Sequence, residues 1–171
     1  MRKLFEIDAH NYNPNSPRTY RPSYRAIVIE KDKIHLVHSQ KYNYYKFPGG
    51  GKDDGESPTD AVVREAREEA GLIVDPTTVR DFGYVRRISA SFEGGIFDQM
   101  NYYYLCDATS GGEQCLDDYE SDEGFTPVLI SPAVAIATNR CHNPAAGRET
   151  MREREAKVLE ILINEGYFSK E

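Results

Sequence analysis

The chain reads as an α/β protein with a mixed β-sheet between helices. Three observations predict this class. Residues 24–30 and 33–39 form two strand-length runs with apolar side chains on both faces, as central strands do. Residues 58–70 and 148–165 carry apolar side chains at helical spacing. These stretches are distributed along 171 residues, a length suited to one domain with a real core.

The elements follow in order. Residues 4–7 form a short strand, and residues 8–22, rich in Asn, Pro and Tyr, form an arm. The runs 24–30 and 33–39 are strands joined by a tight charged turn. Residues 44–47 form a short strand leading into Gly49-Gly50-Gly51. A helix is expected from Pro58 to Ala70, with Ser57 as its cap, Pro58 at the first helical position and Asp60 where a capping box places its acid. Gly71 stops it by tolerating the left-handed conformation. Residues 79–90 and 96–108 make a long hairpin across Phe92-Glu93-Gly94-Gly95. Residues 109–124 are polar and acidic, and a mobile loop is expected there. Residues 126–130 are the last strand, and Ser131-Pro132 starts a short helix to about Thr138. The helix at 148–165 has Met151, Val158, Leu159, Leu162 and Ile163 on one stripe. There is no internal repeat. The expected organisation is an arm, residues 1–22, and a single domain, residues 23–171.

Net charge is −7 and the pI is near 5.2. That argues against broad affinity for a nucleic-acid backbone, which needs clustered Lys and Arg. The longest aliphatic run, Ala26-Ile27-Val28-Ile29, is too short to span a bilayer. The first eight residues contain no apolar stretch of signal-peptide length. Cys106, Cys115 and Cys141 have no zinc-ligand spacing and read as reduced thiols in a cytoplasmic protein. His35 and His38 are three apart on a strand, so they point to opposite faces and do not share a metal. Small phosphorylated ligands are not excluded by the net charge, while neither a nucleic-acid polymer nor a membrane is expected as a partner. A homodimer stays open.

The chemistry concentrates between Gly50 and Leu72. At about 100° per residue, Val62, Val63, Ala66 and Ala70 share one face of the helix. Glu65, Glu68 and Glu69 cluster opposite, with the small Ala61 beside them. Arg64 can reach Glu68 one turn on and Glu56 in the preceding loop. A solvated acidic face is the ordinary explanation of such a run. Like charges at these spacings destabilise a helix, however, and crowded carboxylates make sense around a hard cation.

Gly50, Glu56, Arg64, Glu65, Glu68, Glu69, Gly71 and Leu72 together resemble the Nudix box, G-x5-E-x7-R-E-U-x-E-E-x-G-U, with U a bulky apolar residue. Ala66 departs from the bulky residue usual at the first U position. Tyr45-Lys46-Phe47-Pro48-Gly49-Gly50 resembles the lead-in common in that family. Seven specified residues at fixed offsets arise at one start position with a chance on the order of one in a hundred million, at about 7% usage each. The resemblance implies a Nudix-like α/β/α sandwich with a mixed central β-sheet. It also implies a metal-dependent hydrolase that cleaves a diphosphate bond in a nucleoside diphosphate linked to another moiety. All-oxygen ligands favour Mg²⁺ or Mn²⁺. By resemblance, Glu65, Glu68, Glu69 and the Gly50 carbonyl hold the metal, and Glu65 is the candidate to activate water. Glu56 and Arg64 are the structural ion pair bracing loop against helix.

Substrate markers downstream of the box are missing. Arg87 stands where a proline would point to ADP-ribose, and Ile88 where a tyrosine would point to diadenosine polyphosphates. The extended aromatic-proline motif of NADH enzymes is absent. Val37-His38-Ser39-Gln40 lacks the arginine frequent in members that act on nucleoside triphosphates. Candidate substrate contacts are Arg25, Tyr45, Arg86 and Arg87. Tyr42, Tyr44 and Tyr102 to Tyr104 suit sheet packing better than base stacking. A further catalytic acid is expected in the loop before the last strand, where Glu123-Gly124-Phe125-Thr126-Pro127 resembles its place in some triphosphate-cleaving members. Glu123 is the first choice, with Glu120 and Glu93 behind it. Two other classes share the fold. One is an inactive sensor of a nucleotide or ADP-ribose, which usually has a damaged box. The other is an isopentenyl diphosphate isomerase, which needs an added Cys and Glu pair.

Overall fold

The computed structural model describes residues 1–91, 93–141 and 148–169. The strands are β1 (Lys3–Asp8), β2 (Arg18–Tyr20), β3 (Ser23–Ile27), β4 (Ile29–Glu30), β5 (Lys33–Ser39), β6 (Tyr44–Lys46) and β7 (Gly49–Gly50). After helix α1 (Pro58–Ala70) come β8 (Leu72–Val74), a 3₁₀ turn (Pro76–Thr78), β9 (Arg80–Ala90), β10 (Ile96–Leu105) and β11 (Ala108–Ser110). Helix α2 (Asp118–Glu123), strand β12 (Phe125–Ile130) and helices α3 (Pro132–Arg140) and α4 (Glu149–Asn164) follow.

Val28 divides the run at residues 24–30 between two sheets, where the sequence suggests one strand. Upstream of it, β3 lies in a sheet ordered β1-β9-β10-β3-β7, with β2 also on β10. That sheet is mixed: β9 and β10 are antiparallel, while β1 runs parallel to β9 and β3 parallel to β10. Downstream, β4 joins an antiparallel sheet ordered β12-β5-β4, with β6 also on β5.

Helix α1 has the predicted bounds. Ser57 accepts the Asp60 N–H at 3.1 Å, and Gly71 closes the helix at φ 59°. Val62, Ala66 and Ala70 pack with Tyr24, Ala26 and Val37. Ala61 belongs to this core and not to the acidic face. On the other side, Val158, Leu159 and Leu162 of α4 and Ala135 of α3 pack with Ile27, Ile34, Leu36 and Phe47. Each fully buried leucine there contributes about 2 kcal/mol by leaving water. Ile163 of the predicted stripe is instead 38% exposed. Helices thus cover both sides of the strands in an α/β/α arrangement.

Two loop expectations change. Residues 109–124 include β11 and α2, and the segment between them is pinned to α1. Cys115 N–H donates to the Glu68 carbonyl, and the Gln114 amide donates to the carbonyls of Glu69 and Phe125. The arm carries a strand of its own, β2, beside the expected β1, and both extend the large sheet. Phe92 of the hairpin turn lies outside the described residues. Among the described residues, no helix is long and apolar enough to cross a membrane.

Candidate active site

The site forms where β7 passes Glu65 and Glu69 of α1. Tyr24 pairs with Gly50 and Arg25 with Gly49, which draws the glycine turn against β3. A Cβ on Gly50 would lie 2.6 Å from the Glu65 carboxylate, so only glycine allows this approach.

Arg64 organises the box. Its guanidinium donates to both Glu56 oxygens at 2.8 and 2.9 Å, so the two residues form a bidentate ion pair. It also donates to Glu65, Glu68 and the Gly51 carbonyl, each at 2.9 Å. The Arg64 hydrogen bond holds the Glu56 carboxyl below its usual range. Burial pushes Glu65 up, against the pull of Arg64 and Lys46.

Glu69 is set apart from its two helix neighbours. It is 1% exposed, lies 2.6 Å from Lys46 and accepts the Gly49 N–H at 3.0 Å. Burial pushes its carboxyl up to about 7, Lys46 opposes this, and the Glu120 carboxyl beside it adds to the rise. Glu120 caps α2 by accepting the Asp117 N–H, and also accepts the Tyr119 hydroxyl. Glu65, Glu68, Glu120, Asp117, Arg64 and Arg21 line one cavity of about 460 Å³.

Glu123, the loop acid expected first, stands elsewhere. Its carboxylate accepts from Tyr44 at 2.6 Å, from Ser39 at 3.2 Å and from Arg148. Its side chain is 4% exposed, so these contacts leave little of it for a ligand. Glu93 is exposed in the hairpin turn.

The candidate substrate contacts separate. Arg87 and Arg25 line a second cavity. Arg86 takes the opposite face of β9 and grips Asp98 at 2.7 and 2.9 Å. Tyr45 stacks on His38, and its backbone is bonded by the Asn139 amide, so it is sheet packing. Tyr24 likewise stacks on Tyr102. Sequence reasoning missed Lys46, Arg148 and Arg154. Arg154 had a readable signal: it lies three residues after Met151 and four before Val158, on the apolar stripe of α4.

Among the described residues, no three carboxylate, imidazole or thiol groups already stand together as metal ligands. Arg64 lies between Glu65 and Glu68, and Lys46 holds Glu69. The donor set still fits a hard cation: Glu65 and Glu68 are oxygen donors on one cavity, and the Gly50 backbone comes against Glu65.

A model of the NUDIX domain matches residues 19–140. The chain belongs to the Nudix family. It is a Nudix-type diphosphate hydrolase. It is 30% identical over 144 residues to mouse diphosphoinositol polyphosphate phosphohydrolase 2, covering 78% of this chain and 73% of that one. Over 60 residues it is 38% identical to an RNA pyrophosphohydrolase from Sulfurovum, covering 32% of this chain and 38% of that one. A solved Nudix hydrolase from Nitrosomonas europaea shares the fold, with a TM-score of 0.54 at 18% identity over 81% of this chain and 91% of that one. Nudix hydrolases generally use divalent metal ions and act on small-molecule diphosphates.

Proposed function

We propose that this chain hydrolyses a phosphoanhydride bond in a small diphosphate compound and depends on Mg²⁺ or Mn²⁺ to do so. The observation that carries the reading is the cavity shared by Glu65, Glu68 and Glu120 beside the Gly50 turn. The physical problem is charge, since a diphosphate repels a nucleophile and its transition state spreads charge over phosphoryl oxygens. A bound divalent ion offsets that charge and lowers the pKa of water. In this reading Glu65, Glu68 and the Gly50 carbonyl hold the ion, with Glu69 completing the acidic surround.

The chain's own groups supply the rest. Glu65 is our candidate for accepting the proton of the attacking water at a carboxylate oxygen, since it lines the cavity and burial raises its basicity. Glu120 replaces Glu123 as the acid from outside the box, because it faces the same cavity. Arg64 and Glu56 keep the loop registered on α1. Arg21 stands at the cavity rim to meet phosphate oxygens.

The sequence suggests a nucleoside diphosphate derivative. The name of the mouse relative adds diphosphoinositol polyphosphate, and that of the Sulfurovum relative adds RNA. A panel of ADP-ribose, diphosphoinositol polyphosphate and 5′-triphosphate RNA, assayed with Mg²⁺, tests the reading. Turnover is expected on at least one. It should vanish with chelator and fall about a hundredfold or more in Glu68→Gln, as when a group that stabilises transition-state charge is lost. Full activity in the chelated assay would sink the metal assignment.

A further inference from the structure

A second cavity, about 190 Å³, shares Arg21, Pro22 and Gly51 with the glutamate cavity along a common rim. Its lining includes Arg21, Arg25, Lys46, Arg87, Arg148 and Arg154 and no carboxylate. Such a lining is unusual in a protein of net charge −7. Three of these cations are already matched from behind: Lys46 by Glu69, Arg148 by Glu123 and Arg154 by Glu155.

Arg25 and Arg87 are not matched. Neither has a carboxylate at ion-pair distance among the described residues. Their side chains are held by neutral oxygens instead. Asn101 Oδ1 accepts from Arg154 at 2.5 Å and from Arg25 Nε at 3.4 Å. Gln99 Oε1 accepts from Arg87 at 3.2 Å and from Arg154 at 3.3 Å. Arg25 also donates to the carbonyls of Phe47 and Gly49, and Arg87 donates to the Thr150 hydroxyl and lies over the Phe97 ring. All of these partners are uncharged, and among the described residues Glu155 is the carboxylate that adjoins the three guanidiniums. Arg87 Nε is buried and has no hydrogen-bond partner. Burial first, then Arg154 and Arg25, pull the Arg87 guanidinium down to about 9.

Strand geometry accounts for the convergence. Gln99, Asn101 and Tyr103 alternate onto one face of β10. Their register partners are Arg87 on β9, with Ser23 and Arg25 on β3. Arg154 comes down onto the same face from α4. Unpaired buried cations are costly unless an anion completes them, and guanidinium forks suit phosphate oxygens.

We propose that Arg25, Arg87 and Arg154 form a subsite for a dianionic phosphoryl group distinct from the diphosphate being cleaved. The group is either a phosphomonoester elsewhere on the substrate or free inorganic phosphate. The source of the group and its distinction from the cleaved diphosphate rest on the hydrolase reading; phosphate binding at the three arginines does not.

The test begins without metal or turnover. Inorganic phosphate titrated calorimetrically into chelator-treated protein should bind saturably. Arg87→Gln should weaken that binding roughly ten- to hundredfold, the loss of a charged hydrogen-bonding partner. Arg86→Gln, on the opposite face of the same strand, should leave it unchanged. Without phosphate, Arg87→Gln should melt no lower than wild type, because it removes one of three repelling charges. A purely structural arginine would lower the melting temperature. Absent phosphate binding in wild type, undiminished binding in Arg87→Gln, or an Arg87→Gln protein that melts lower without phosphate would overturn the subsite.

Kinetics with Mg²⁺ then separate the sources. If Arg87→Gln raises KM for diphosphoinositol polyphosphate but not for ADP-ribose, at similar kcat, the group belongs to the substrate. If neither KM moves while noncompetitive inhibition by phosphate is lost, the ligand is free phosphate. Wild-type protein that binds phosphate through Arg87 yet turns over no diphosphate would refute the hydrolase reading alone.

Discussion

Arg64 makes more charged contacts than a simple brace requires. Its Nε and both terminal nitrogens bind Glu56, Glu65, Glu68 and the Gly51 carbonyl. The contacts with Glu56 and Glu65 are the sheltered ones, with those side chains 12% and 13% exposed and that of Arg64 27%. That of Glu68 is 39% exposed, and solvent screens it. Removing the Arg64 side chain leaves Glu56 half-buried and unpaired. A double-mutant cycle of Arg64→Ala and Glu56→Ala, read by denaturant unfolding, should give a coupling of about 1–3 kcal/mol. No coupling would mean that the two residues do not act as a pair. Both partners were legible in the sequence because box spacing specifies them. The links to Glu65 and Glu68 depend on where the guanidinium comes to rest, and spacing alone does not reach that.

Helix α2 places two neighbouring acids in different surroundings. Its residues Glu120 and Glu123 sit three apart on a six-residue helix. Glu120 meets Glu69 and the glutamate cavity, whereas Glu123 turns toward Ser39, Tyr44 and Arg148. Glu120→Gln should therefore lower kcat about tenfold or more with little change in melting temperature. Glu123→Gln should do the reverse, costing about 1–3 kcal/mol by weakening a buried charged network. Equal kinetic losses in the two variants would contradict this division. The sequence pointed to a loop acid in this stretch but ranked the pair the other way. A polar, acidic run carries no periodicity strong enough to reveal α2, and helix phase decides which acid faces the cavity.

At the scale of the whole molecule, the N-terminal arm is clipped to the large sheet by Asp98. That buried carboxylate accepts from Arg18 of β2 at 2.6 Å and from Arg86 of β9. The hydrogen bond from Arg86, with help from Arg18, holds Asp98 below its usual value near 3.8. A depressed carboxyl contributes stability that is present above the unfolded value and lost as pH falls through the folded one. Acid unfolding of wild type should thus gain a component below about pH 4 that Asp98→Asn lacks. At neutral pH the variant should be about 1–2 kcal/mol less stable and lose protection of β2 amides in hydrogen exchange. Unchanged exchange in residues 18–20 would show that the arm is held by something else.

The sequence by itself determined the α/β class, the bounds of α1, the shared face of Glu65 and Glu68 and the Arg64–Glu56 pair. These rest on local rules: helix periodicity, capping chemistry and residues at fixed offsets within one short stretch. The arginine cavity, the split at Val28, the place of the arm and which of Glu120 and Glu123 lines the glutamate cavity were decided only by tertiary structure. In each case the partners are far apart in the chain, as Arg25, Arg87 and Arg154 are. Sheet register and strand alternation, which depend on the whole fold, bring them to one face.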